Sequence, residues 1–342
     1  MTMATATVLP RRAAVDALRR ALAAERVLLE VRPTAAGPDW TPVAGDAPFD
    51  WDAPLPLGGA KRFLFPPSET LLAWEGDAVT ERRPAPPPFA LFGLRACDLA
   101  AIGVLDRFFA ADPWYVARRA AALLVGVNCL AACAGGFCLA VDAGPFARGG
   151  CDLALTPLSD GRVVCHVGTA AGGAALARAG CTPAALDGAA CAALAAAQSR
   201  AEATFPARTA LARGLARVRA GAAAVGDGEW RALGPACFAC TGCTSLCPTC
   251  TCFTVVDEVR GAGGERVRVW DSCLLDGFQR ETSGHHPAPT PGDRVRRFVA
   301  HKVEAAFAPS LGRMGCVGCG RCDVTCPGGI GLGAVLERLG AH

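Results

Sequence analysis

The chain has 342 residues, 19 of them cysteine, with 34 Lys and Arg against 31 Asp and Glu for a net charge of +3. A chain of this length has room for two domains and buries a core without covalent staples, and an odd cysteine count excludes a complete set of internal disulfides. The mild, dispersed charge also excludes the clustered basic face of a nucleic-acid-binding protein.

The N-terminal stretch MTMATATVLPRRAAVDALRRALAAER carries a twin arginine at Arg11 and Arg12, but Asp16, Arg19 and Arg20 interrupt the apolar core that a signal peptide needs, so none is expected. No run of about eighteen uncharged apolar residues occurs further on, because Arg178, Asp187 and Arg200 break the alanine-rich region, and no membrane insertion is expected. The expected location is the cytoplasm, where thiols stay reduced and clustered cysteines point to metal or redox chemistry.

Periodicity predicts an amphipathic helix from Arg11 to about Glu25 and then a strand, RVLLEVRP, ended by Pro33. An irregular stretch rich in Pro, Gly and Asp follows, to about Leu57. Strands are predicted at KRFLFPP, Lys61 to Pro67, and at FALFGL, Phe89 to Leu94. The next segment has apolar residues at helical spacing, Leu99, Ile102, Leu105, Phe108 and Phe109, and leads to another strand, ALLVGVNC, Ala122 to Cys129. Strand, helix, strand in this order predicts a parallel βαβ unit. From Gly168 to about Gly226 the composition turns alanine-rich, and the helices expected there close off the first domain. Glycines between Val225 and Trp230 mark a boundary. The expected organisation is an α/β N-terminal domain with an alanine-rich helical end, residues 1–228, and a C-terminal α+β dicluster ferredoxin-like domain, residues 229–342.

The second domain takes its reading from one motif that occurs twice. Cys237, Cys240, Cys243 and Cys247 follow C-x2-C-x2-C-x3-C-P, ending at Pro248, and Cys316, Cys319, Cys322 and Cys326 repeat it, ending at Pro327. This is the bacterial ferredoxin spacing for 4Fe-4S cubes, in which the fourth cysteine of each run ligates the other cluster. Cluster 1 is therefore expected on Cys237, Cys240, Cys243 and Cys326, and cluster 2 on Cys316, Cys319, Cys322 and Cys247. Structural zinc sites take two pairs of ligands rather than a triplet followed by C-x3-C-P, so zinc is the poorer reading. Small residues between the cysteines, Ala239, Gly242, Gly318 and Gly320, let backbone N–H groups approach the sulfurs. The two runs stand far apart for a compact ferredoxin, so a long insertion is expected between them. It holds RVRVWDSCLLDGF, strand-like up to Cys273, and a basic helix, DRVRRFVAHKVEAAF, whose Arg294, Arg296, Arg297, His301 and Lys302 form a docking face, surround a cluster, or are merely solvated.

Eleven cysteines remain. Cys97 begins the helix after one parallel strand and Cys129 ends the next, so both belong at the carboxyl edge of the sheet, where ligands usually bind. With Cys133 and Cys138 they are candidate ligands of a third iron–sulfur site, the other reading being small buried hydrophobes. Cys250, Cys252 and Cys273 either pack near the first run or offer an alternative ligand, and Cys151, Cys165, Cys181 and Cys191 are isolated and read as core residues or chance occurrences. The histidines form no metal pattern. No strand-Gly-x-Gly-x-x-Gly-helix occurs, and GGIGLG, Gly328 to Gly333, follows a cluster cysteine and reads as a turn, so direct hydride transfer by this chain is not expected.

The segments KRFLFPPSETLL, LFGLRACDLAAIGVLDRFF, DPWYVARR, GVNC, FCLAVDAGP, CDLALT, CPTCTCF, WDSC, HKVEAAF and CVGCGRCDVTCPGGI together resemble the iron–sulfur electron-transfer subunits of anaerobic sulfite reductase (its A subunit) and cytoplasmic sulfhydrogenase (its beta subunit). The likeness runs in the family's order from about residue 60 to the end. It departs at Gly136, Phe137 and Cys138, where the family has a Cys-Phe-Cys triplet, and at the extra Cys133. The resemblance implies a non-catalytic subunit relaying electrons between a flavin-containing, NAD(P)H-reactive partner and a catalytic hydrogenase or sulfite reductase subunit. Two other readings stand beside it: an iron–sulfur redox sensor or assembly factor, and a self-contained flavin-binding reductase.

Overall fold

A computed structural model describes residues 5–9, 12–181, 184–221 and 224–341; Arg11, the expected helix start, lies outside them. The larger sheet has eight strands, β1 (Thr5–Leu9), β2 (Val27–Thr34), β3 (Gly37–Val43), β6 (Phe89–Leu94), β7 (Ala122–Val127), β8 (Leu153–Pro157), β9 (Val163–Val167) and β10 (Ala184–Ala185), in the order β10-β1-β9-β8-β7-β6-β2-β3. The four inner strands β2, β6, β7 and β8 are parallel, and their flanks are antiparallel. Their continuous apolar runs, such as FALFGL, fit strands covered on both faces. Helices α1 (Arg12–Glu25) and α5 (Ala170–Arg178) cover one face through Leu18, Leu22 and Leu176, while α3 (Ala96–Phe108) and α4 (Pro113–Ala121) cover the other through Leu99, Ile102, Leu105 and Tyr115.

The expected βαβ unit is present as β6, α3 and β7, with α4 added. That helix starts at Pro113 and is capped by Asp112, whose carboxylate accepts from the Tyr115 N–H at 2.9 Å. Two sequence-based expectations are corrected. The stretch after Pro33 is irregular as expected from Ala44 onward, but its first part forms β3, which pairs with β2; Pro38 and Pro42 are tolerated because β3 is an edge strand. KRFLFPP is not a strand: Lys61–Leu64 forms a single helical turn, α2, held by burial of Lys61, Leu64 and Phe65. Tertiary contacts override the β preference of Phe and Leu there.

A second sheet joins distant parts of the chain. The hairpin β4 (Ser68–Glu75) and β5 (Ala78–Glu81) pairs with the hairpin β11 (Phe253–Arg260) and β12 (Gly263–Trp270), which lies between the two cysteine runs; β12 runs antiparallel to β4, from Val269 opposite Ser68 to Gly263 opposite Glu75. Under this seam the Arg268 guanidinium is buried. Its Nε donates to Glu69 Oε1 at 3.0 Å, it also reaches Asp112, and Arg118 donates to the other Glu69 oxygen at 2.5 Å. The rings of Phe65 and Phe253 flank the guanidinium at 5.3 and 5.2 Å.

Helix α6 (Gly188–Ala203) packs through Ala197 on Leu158 and Val164 of the first half, whereas α7 (Thr209–Arg219), α8 (Asp227–Leu233), α10 (Pro291–Val303), the short α11 (Ala308–Leu311) and α13 (Leu332–Gly340) gather around the cysteine runs. Helix α7 was expected to close off the first domain, yet it packs on α13, so closely that a Cβ on Gly214 would fall 1.9 Å from the Leu336 carbonyl oxygen. Leu211, Leu215 and Val218 of α7 thus share one core with Trp230, Phe298, Leu336 and the loop residues Phe137 and Val141.

Glu69→Ala leaves the Arg268 charge buried with one anionic partner removed, a loss on the order of 3–5 kcal/mol. Arg266→Ala, which breaks an exposed pair with Asp257 on the same hairpin, is expected to leave the thermal midpoint in place. Comparing the two variants' unfolding midpoints checks the contrast.

Candidate metal centres

The two cysteine runs bend at equivalent places. In the first, Ala239 and Thr241 take positive φ, 49° and 62°, ahead of helix α9 (Gly242–Ser245); in the second, Gly318 and Gly320 do so at 62° and 75°, ahead of α12 (Arg321–Thr325). Each pair of bends flanks the second cysteine of its run and curls the backbone around the thiols. Holding Ala239 and Thr241 left-handed costs about 1–2 kcal/mol each, so the surroundings must fix that shape. Helices α9 and α12 lie against each other, and a Cβ on Gly242 would stand 3.3 Å from Thr325 Oγ1.

Backbone donors are turned onto sulfur. Gly318 N–H donates to Cys316 Sγ at 3.2 Å, Ile330 N–H to Cys326 Sγ at 3.3 Å and Leu332 N–H to Cys322 Sγ at 3.4 Å, while Cys247 Sγ lies 3.2 Å from Thr249 Oγ1. Such contacts favour negative charge on sulfur. The runs also interlock through their last cysteines: Cys243 feels the charges of Cys247, Cys326, Cys237 and Cys240, whereas Cys247 acts on Cys316, Cys319 and Cys322. Burial pushes the Cys243 thiol up to about 12. Cys247 goes the other way: a hydrogen bond with Cys250, working against burial, and the nearby Lys302 ammonium hold it well below the usual thiol value.

Two lysines are buried among these sulfurs. Lys302 of the basic helix α10 donates to Thr249 Oγ1 at 2.9 Å, and although burial opposes its charge, Cys247 and Cys250 raise its pKa. Lys61 donates to the Cys250 carbonyl at 3.3 Å and lies 3.7 Å from the Trp270 ring centre; burial lowers its pKa despite Cys250 and Cys247. Thiols are the groups that favour the charged form of either lysine, Cys247 and Cys250 for both. Sequestering an ammonium costs several kcal/mol without anionic neighbours, which metal-bound thiolates provide. The chemistry of this environment therefore fits anionic clusters. A third buried cation, Arg321 of the second run, faces Asp98 at 2.9 Å and donates from Nε to the Pro56 carbonyl at 2.8 Å.

The rest of α10 does not face the sulfurs in the same way. Arg294 pairs with Asp276 and Arg296 with Asp227, and the His301 ring packs on Phe307. Lys61 was hidden inside a segment that reads as a strand, and nothing near it in sequence marks its role, because its partner Cys250 lies 189 positions away. Cys252 and Cys273 share a hydrogen bond that draws the Cys252 thiol down to about 6. Cys165 and Cys181 are buried apart from the runs, and Cys191 is exposed. Cys97, Cys129, Cys133 and Cys138 line one cavity with Cys319 of the second run. Among the described residues no three His, Cys, Asp or Glu side chains converge tightly enough for a single metal ion.

Comparison with known proteins places residues 236–330 in the family described as 4Fe-4S dicluster domain. Over 289 residues the chain is 31% identical to sulfhydrogenase 2 subunit beta of Pyrococcus furiosus, a match that covers 82% of each chain. The family matches the chemistry that the duplicated spacing implied, and among the described residues no helix is long and apolar enough to cross a membrane.

Gly318 is where the second run meets the first domain: its carbonyl accepts from Phe137 N–H at 2.7 Å, and a Cβ there would lie 2.6 Å from the Cys138 nitrogen. Gly318→Ala is expected to lower stability by roughly 1–3 kcal/mol through overpacking and to reduce iron retention, measured as the thermal midpoint and iron per chain after anaerobic purification.

Proposed function

The chain belongs to the sulfhydrogenase beta-subunit family of iron–sulfur proteins, and we propose that it relays single electrons through two 4Fe-4S clusters between partner subunits. In this reading Cys237, Cys240, Cys243 and Cys326 hold cluster 1, and Cys316, Cys319, Cys322 and Cys247 hold cluster 2. The observation that carries it is the close approach of the two runs, where Gly242 meets Thr325, Cys326 acts on Cys243, and Cys247 acts on Cys316, Cys319 and Cys322 as well as on Cys243 of its own run. When bound, the clusters supply one-electron redox chemistry; the protein sets their potentials with hydrogen bonds and buried charge.

The residues give the two sites different settings. Cys240 is exposed and Phe238 of its run is 69% exposed, whereas Cys316 is buried and Cys319 lies against first-domain residues such as Cys97 and Cys129. Cluster 1 is thus the one that meets a partner at the surface, and cluster 2 the interior member of the wire. One partner is a flavin-containing subunit that reacts with NAD(P)H and the other a catalytic subunit of hydrogenase or sulfite reductase type, as the sequence resemblance suggests. Residues 249–315, with the β11–β12 hairpin and α10, form the insertion of the dicluster domain. The location proposed for the complex is the cytoplasm.

Cys240→Ser and Cys319→Ser, each purified without oxygen, are expected to lose iron and part of the electron paramagnetic resonance signal of the reduced protein; unchanged iron and spectra in both would sink the two-cluster reading. Lys302→Gln removes a buried positive charge beside the Cys247 thiolate. At an effective dielectric near 20 that is roughly 2–3 kcal/mol, or on the order of 100 mV, and the cluster potential is expected to move down by that amount in a redox titration.

A further inference from the structure

The carboxyl edge of the parallel sheet carries four thiols that the two motifs leave unused. Cys97 follows β6 at the start of α3, Cys129 follows β7, and Cys133 and Cys138 sit on the loop that continues from it. Edges of this kind are where open parallel sheets bind ligands. All four side chains line a cavity of about 270 Å³. They also act on one another electrostatically: Cys129 on Cys97, Cys133 on Cys129, and both Cys129 and Cys133 on Cys138.

The backbone has been cleared for these sulfurs. A Cβ on Gly136 would stand 2.5 Å from Cys133 Sγ, and one on Gly144 would stand 2.8 Å from Cys138 Sγ. Two glycines therefore occupy the positions where any side chain would displace a thiol. Arg95 and the exposed Arg12 bring positive charge to the wall of the cavity; the opposing carboxylates are Asp52 on the wall and Asp98, which acts on Cys97 and Cys129 but is itself paired with Arg321. Cys319, assigned above to cluster 2, forms part of the same wall. The loop is fastened to that run by the Phe137 N–H bond to the Gly318 carbonyl, and a Cβ on Gly320 would stand 2.8 Å from the Gly135 carbonyl carbon. This is an arrangement that structural cysteines do not need: small buried hydrophobes require neither a cavity nor cationic walls.

We propose that Cys97, Cys129, Cys133 and Cys138 hold a third iron–sulfur cluster, a 4Fe-4S cube, in this cavity beside cluster 2. Four thiolates are the ligand set that such a cube takes. The step it adds is the transfer of one electron to or from cluster 2, with no bond made or broken and no proton moved. It rests on the two-cluster reading only for its role as a relay; its existence is tested separately.

The test is iron and spectroscopy on the full chain purified anaerobically. Wild-type protein is expected to hold about twelve irons, three cubes' worth, rather than eight. Cys133→Ser is expected to bring this down by a third while the signals of the other two clusters persist. Cys133 is exposed, so its loss costs the fold little. Cys129→Ser should give the same loss independently. About eight irons in the wild type, wild-type iron in either variant, or a stoichiometric zinc lost with Cys133 would each overturn the third cube. So would loss of all iron signals from Cys133→Ser, since that would place this thiol in the support of the fold. Failure of Cys240→Ser to lose iron would instead strike the two-cluster reading and leave this site standing.

Discussion

One electrostatic demand organises the interior: sulfur that carries negative charge must be matched by positive charge where water is scarce. Lys302, Lys61 and Arg321 meet it, and each is almost fully buried. They come from three places, the helix α10, the one-turn helix α2 and the second cysteine run itself. A buried cation is tolerated only where its partner is already in position, so these three tie the charge balance of the site to the assembly of the whole chain. The backbone N–H groups aimed at Cys316, Cys322 and Cys326 serve the same end from the neutral side.

Matching charge in this way makes the two halves of the sequence inseparable in space. Lys61 and Asp98 come from the α/β half, yet they approach Cys250 and Arg321 of the other. The seam sheet does the same on a larger scale, with Glu69 clamped between Arg118 and Arg268. What results is a shared core in which Cys97, Phe137 and Cys138 pack with the helices that surround the cysteine runs.

Much of this was legible in the sequence, and the division follows from distance along the chain. The duplicated C-x2-C-x2-C-x3-C-P is local, and the bends that serve it lie within the motif, so its chemistry could be read directly. The same holds for β6, α3 and β7, whose apolar patterning is complete within each element. The misses depend on remote partners. Lys61 is read as part of a strand because its neighbours are Phe and Leu, and only Cys250 and Trp270 reveal it as a buried ammonium in a helical turn. The prolines of β3 argue against a strand unless it is known that β3 lies at an edge. Helix α7 belongs to the same alanine-rich stretch as α6, and nothing in that stretch's composition tells which core α7 will join.

The pairing of β4 with β12 has a consequence for biosynthesis. Strand β4 leaves the ribosome nearly two hundred residues before its partner, and until then one of its sides presents unsatisfied backbone groups and the Glu69 carboxylate lacks Arg268. An open strand edge is a template for wrong association. The nascent α/β half therefore keeps an open strand edge and an unmatched carboxylate until the β11–β12 hairpin between the cysteine runs emerges, so the first half of the chain completes its fold only after most of the second has been made.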